Sequence, residues 1–157
     1  MTRTRKFSTL LISAMALGAV VFSGGALSPN APAAQAAQSQ VSCNQQIITS
    51  YGQIPSKGTA NTAANRNCIM GQGSQGNGVL ALQLSEEYCY KLPTGSPPGK
   101  PDAKFGPVTR SSLVTIQGRI TVTRDGVYGN NTHNKMQFWQ RYQNGKHYCY
   151  VDPIKAS

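Results

Sequence analysis

One nine-residue phrase occurs twice in this chain, and a duplicated phrase commits the fold to units that bury their apolar faces against each other. Asp102-Ala-Lys-Phe105-Gly106-Pro-Val-Thr109-Arg110 returns as Asp125-Gly-Val-Tyr128-Gly129-Asn-Asn-Thr132-His133. Asp, aromatic, Gly and Thr keep the same internal spacing in both copies. Downstream, Leu113, Ile116 and Gln117 align at the same offset with Met136, Trp139 and Gln140.

Residues 1–36 read as a secretory leader rather than as part of the fold. Arg3, Arg5 and Lys6 precede an apolar run from Leu10 to Val21, and Ala34-Gln-Ala36 has the small-x-small form of a cleavage site. The run is short for a membrane span and no cation follows it to stop transfer. Without the leader, 121 of the 157 residues remain, enough for one small domain with a modest core.

All four cysteines, Cys43, Cys68, Cys89 and Cys149, lie after the leader. An even number in a small exported domain implies two disulfides. Three connectivities are open. Cys68–Cys89 with Cys43–Cys149 is favoured, because the first would tie a segment to the end of the helix it precedes and the second would join the mature ends. The cysteines are too dispersed for a zinc site, and His133 and His147 add too few ligands. No metal or cofactor is expected.

Removing Arg3, Arg5 and Lys6 leaves 12 cations against five acidic residues, a net charge of +7. Such a domain is drawn to polyanions. The cations are scattered, so no specific nucleic-acid interface is expected.

Residues 37–70 form a polar arm, with a helical segment expected near 44–51. Gly71 to Gly78 is too rich in glycine to be anything but a loop. Val79, Leu82 and Glu86 fall at helical spacing and predict a helix of about three turns, capped by Ser74 or Asn77. Four prolines between Pro93 and Pro101 make an exposed loop. The first repeat then opens a helix at 108–117, Ile120 to Arg124 reads as an extended link, and the second repeat opens a helix near 131–141. Tyr142 to Ser157 is expected to pack as an extended strap.

These residues resemble the bacterial peptidoglycan-binding domain of the three-helix type. The resemblance rests on Gly73-Ser-Gln-Gly76-Asn-Gly-Val79-Leu-Ala-Leu82-Gln83 followed by the two Asp-Gly-x-aromatic-Gly-x-x-Thr copies, from about residue 71 to 141. The second copy matches in full, and the first has Ala103 in place of Gly. The expected fold is therefore mainly α: a small three-helix domain over 71–157 with extended, disulfide-tied straps at both ends. What the resemblance implies is a secreted or wall-associated, non-catalytic protein that binds peptidoglycan or another anionic wall polymer, without membrane insertion.

Repeated apolar positions are core positions, so Phe105, Tyr128, Ile116 and Trp139 are expected inside. Asp102 and Asp125 are expected to hydrogen-bond turn amides, and Thr109 and Thr132 to cap or brace turns. The candidate ligand-binding residues are Arg110, Tyr128, Asn130, Asn131 and His133. Two other functions compete. A small hydrolase of wall or RNA would need an acid/base pair, but Glu86 and Glu87 diverge on one helix. A protein-binding factor such as a protease inhibitor would use the loop at 93–101.

Overall fold

The computed structural model describes residues 41–96 and 99–157. The leader and its cleavage site lie outside the described residues. Two antiparallel hairpins flank a helical centre: β1 (Gln45–Thr49) and β2 (Gly52–Ser56), then α1 (Ala63–Arg66), α2 (Asn77–Tyr88), α3 (Pro107–Arg119), α4 (Asn130–His133), β3 (Gln137–Arg141) and β4 (His147–Val151). The expectation of a mainly α, three-helix domain with extended straps is thereby corrected. No helix among the described residues is long and apolar enough to cross a membrane.

Both hairpins have a simple cause. In the arm, Ile47 pairs with Ile54 on the buried side, and Thr49 closes on Gly52 across a two-residue turn. The β-branched run Ile47-Ile48-Thr49 favours a pleated strand over the helix expected near 44–51. At the other end, Phe138 pairs with Tyr150 and Trp139 with Cys149. Gly145, at φ 76°, supports the turn between those strands. Phe138 and Trp139 are adjacent yet both buried, on opposite faces of β3. A strand achieves this when covered on both sides, whereas a helix would place them about 100° apart. The helix expected over 131–141 therefore stops at His133.

The two long helices form where they were expected. Pro107 starts α3, where its missing N–H costs nothing. No side chain caps α2: its N-cap is Gly76, and the Ser74 hydroxyl instead accepts from the Gly71 amide at 3.1 Å. Gly78 lets the first turn of α2 sit directly on the arm, since a Cβ there would run into the Cys43 carbonyl. One core joins all parts, with Cys43, Ile54, Leu82, Phe105, Leu113, Ile116, Tyr128, Met136 and Phe138 at or near zero exposure.

The disulfides are Cys43–Cys68 and Cys89–Cys149, not the favoured pairing. Cys68 lies where the chain after α1 runs beside the arm: the Cys43 amide donates to the Ile69 carbonyl at 3.1 Å. Cys89 caps the C-terminus of α2, against which β4 packs. Two disulfides point to an oxidising, non-cytoplasmic compartment.

Glu86 is fully buried in α2, and among the described residues neither carboxylate oxygen finds a hydrogen-bond partner. Burial pushes its carboxyl well above the usual range, and nearby Thr94 opposes this only partly. A carboxyl raised in the folded state destabilises the fold as pH rises through that raised value. Glu86→Gln is therefore expected to be more stable than the parent at neutral to alkaline pH, with a gain that grows with pH, as measured by urea unfolding. A gain that shrinks as pH rises would contradict this.

Candidate functional site

The repeat is built around one glutamine in each copy. In the first, Gln83 of α2 donates to the Asp102 carboxylate (2.8 Å), the Lys104 carbonyl (3.0 Å) and the Thr109 hydroxyl (3.0 Å). Its Oε1 accepts from the Asp102 and Ala103 amides at 3.0 and 2.9 Å. In the second, Gln117 of α3 donates to Asp125 (2.8 Å), the Val127 carbonyl (2.9 Å) and Thr132 (3.2 Å), and accepts from the Gly126 amide (2.9 Å). Each Asp also takes the amide two residues on, Lys104 or Val127. The Asp and Thr positions thus act as turn braces, as the sequence suggested. The glutamines equivalent in structure are Gln83 and Gln117, whereas the fixed offset had aligned Gln117 with Gln140, which lies on β3.

The aromatic residues of the repeat also pair through their backbones. Phe105 exchanges bonds with the 73–74 segment, and Tyr128 with Met70, so the glycine-rich loop runs between the two copies. Gly126 sits at φ 70°, and its counterpart Ala103 is held at φ 60°. An alanine in the left-handed region costs roughly 1 kcal/mol. Ala103→Gly is expected to stabilise the fold by up to about 1 kcal/mol, the strain relief being partly offset by backbone entropy. A destabilised variant in thermal unfolding would contradict the equivalence of the two turns.

Of the five candidate ligand residues, the structure brings two together at an open surface. Asn130 and Asn131 line a cleft of about 270 Å³ between the end of α3, the Asp125 turn and α4. The Asn130 amide donates to Asn67 at 3.1 Å, while its Oδ1 is buried without a partner. Asn131 is exposed and also borders a wider depression of about 640 Å³, lined in part by Thr121, Arg124 and Lys135. Thr121, at φ 56°, is a β-branched residue in the left-handed region, so the expected extended link is a strained turn beside the depression. The Lys135 ammonium holds it by donating to the Thr121 carbonyl at 3.1 Å.

The other three candidates lie elsewhere. Arg110 is exposed on α3 and donates to the Asp125 carbonyl at 3.2 Å, lying over the turn rather than in the cleft. Tyr128 and His133 are fully buried, which agrees with Tyr128 as a repeated core position and corrects the expectation of His133 as a surface ligand residue. The Tyr128 hydroxyl meets His133 Nδ1 at 2.9 Å, and His133 Nε2 faces Asp152 at 3.3 Å and the Ile154 carbonyl at 3.2 Å. Both neighbours of Nε2 are acceptors, so Nε2 carries a proton. Asp152 also receives Arg66, which is fully buried as well and donates to the Thr62 carbonyl and Asn61. This Tyr–His–Asp–Arg chain joins the arm, the second repeat and the C-terminal segment.

Two features were not foreseen in the sequence. Trp139 is inside, as expected, but it is stacked on Tyr88 at 5.0 Å and donates to His147 Nδ1 at 2.7 Å. Four tyrosines, Tyr51, Tyr142, Tyr148 and Tyr150, cluster on the second hairpin and beside it. Comparison with known protein families, curated proteins and solved structures found no match for this chain.

Proposed function

We propose that the mature chain is a secreted, non-catalytic module that binds the bacterial cell wall, with peptidoglycan or another anionic wall polymer as ligand. The observation that carries this reading is the cleft beside the second repeat. Its wall carries short amides at Asn130 and Asn131, and cations from Arg124 and Lys135 stand next to it. Short amides suit sugar hydroxyls and peptide groups, and flanking cations suit carboxylates. The leader-like N-terminus, the oxidising environment implied by the disulfides and the mature charge of +7 all support a wall ligand. Among the described residues Asp125 is the sole carboxylate lining the cleft, and its Oδ1 braces the turn through Gln117 and the Val127 amide.

Cosedimentation with purified peptidoglycan tests the assignment. Asn131 and Arg124 are both exposed, so Asn131→Ala with Arg124→Ala should leave the melting temperature unchanged and weaken retention by roughly tenfold, the equivalent of one or two lost polar contacts. Undiminished retention of the double variant would remove the cleft from the site.

A further inference from the structure

We propose that the exposed end of the β3–β4 hairpin, where Tyr142 and Tyr148 reach solvent, is a second binding surface, an aromatic platform for a strand of acidic polysaccharide. It lies apart from the cleft and does not rest on it. Strand register places Gln140 opposite Tyr148 and Phe138 opposite Tyr150 on one face. The Tyr142 amide donates to the Lys146 carbonyl at 3.0 Å, which continues the ladder and brings Lys146 to the same face. Phe138 seals the buried end. Beyond it, Tyr142 and Tyr148 are each 40% exposed, and Tyr51, from the turn of the first hairpin, is 45% exposed.

The rings hold one another. Tyr142 meets Tyr148 edge-on at 5.1 Å, Tyr148 lies within 20° of parallel to Tyr150 at 6.2 Å, and Tyr51 meets Tyr150 edge-on at 6.5 Å. A ligand that packs on rings already fixed by their neighbours orders little further side-chain freedom. Tyrosine faces accept the C–H side of a sugar ring, and phenol hydroxyls reach its oxygens.

Charge selects the occupant. From Met136 to Val151 the chain carries no acidic residue, and the next one, Asp152, is buried and paired with Arg66. Lys146 is the cation that the register brings to the face. A single-stranded nucleic acid, with a phosphate at every step, is held by grooves with many cations. One lysine among four tyrosines fits a polymer with sparse carboxylates and many ring faces.

Affinity electrophoresis of the oxidised mature protein in gels containing hyaluronan, a β-linked acidic amino-sugar polymer, tests the proposal, with a dT20 oligonucleotide as competitor. Wild type should be retarded. Tyr142→Ala with Tyr148→Ala should weaken binding by roughly tenfold, and Lys146→Glu, at an exposed position, should weaken it in a salt-dependent way. Asn131→Ala, which lies outside this face, should bind like wild type. Absence of retardation, or equal retardation of wild type and the tyrosine double variant, overturns the proposal. Stronger binding of dT20 with the same tyrosine dependence overturns it too, and gives the face to single-stranded nucleic acid. Loss of retardation in the Asn131→Ala variant would likewise overturn it, by placing hyaluronan in the cleft.

Discussion

Asp152→Asn is expected to destabilise the protein by about 3–5 kcal/mol, because it strips the counter-charge from a guanidinium that has no access to water. Arg66 and Asp152 are both fully buried, and the same carboxylate accepts from His133 and from the Ile154 amide. Asparagine keeps the shape and loses the charge. Against a typical total of about 5–15 kcal/mol, such a loss threatens folding at ambient temperature. The effect carries a pH signature. Burial alone would raise the Asp152 carboxyl, but the hydrogen bonds from His133, Arg66 and the Ile154 amide outweigh it and hold the group below its ordinary value. A lowered carboxyl stabilises the fold above its unfolded pKa, near 4, and the contribution is lost as pH falls through the lowered value. Urea unfolding should show the largest gap between wild type and variant above about pH 4, closing on the acid side. A gap under about 1 kcal/mol, or one that is independent of pH, would mean that the pair does not hold the three segments together.

Opening the Cys89–Cys149 disulfide by a double Cys→Ala substitution is expected to cost about 4 kcal/mol by loop-closure entropy. The two residues are 60 apart in sequence, and the bond fixes the end of α2 to β4. For a domain of this size the melting temperature should fall by roughly 15 °C. The substitution also frees the hairpin from α2, so the near-ultraviolet circular dichroism of Trp139 stacked on Tyr88 should weaken first. The Gln–Asp–Thr turns need no contact from the hairpin, so the helical signal should persist to higher temperature. Loss of both signals in one step would show that the hairpin and the repeats unfold as a single unit.

The turns of the repeat were legible in the sequence because their chemistry is local. Asp102 and Asp125 brace amides two residues on, and the Gly126 position has a positive φ in both copies, even where Ala103 occupies it. The helices α2 and α3 were legible from apolar spacing and from Pro107. What failed was the extension of a fixed offset. It set Met136, Trp139 and Gln140 against Leu113, Ile116 and Gln117, and so extended helical spacing into a strand. Alternation in His-Tyr-Cys-Tyr-Val around the Asn144-Gly145 turn was the contrary signal. Gln83 was hidden as the partner of Gln117 because the proline-rich loop lengthens the first copy between helix and turn. Burial of His133 was not local either: it depends on Arg66 and Asp152, 86 residues apart in sequence, meeting behind the second repeat. For the same reason the disulfide pairing followed from the two hairpins, which the sequence reading did not contain.

The most direct test of wall binding is retention of the oxidised mature protein on peptidoglycan stripped of teichoic acid, at high salt. A Debye length of about 3 Å in 1 M salt removes attraction from scattered charge and leaves short-range contacts. The proposed function predicts that the protein stays with the wall under these conditions. Release into the supernatant would mean that net charge alone did the binding, and a protein partner would then be the better reading of the chain.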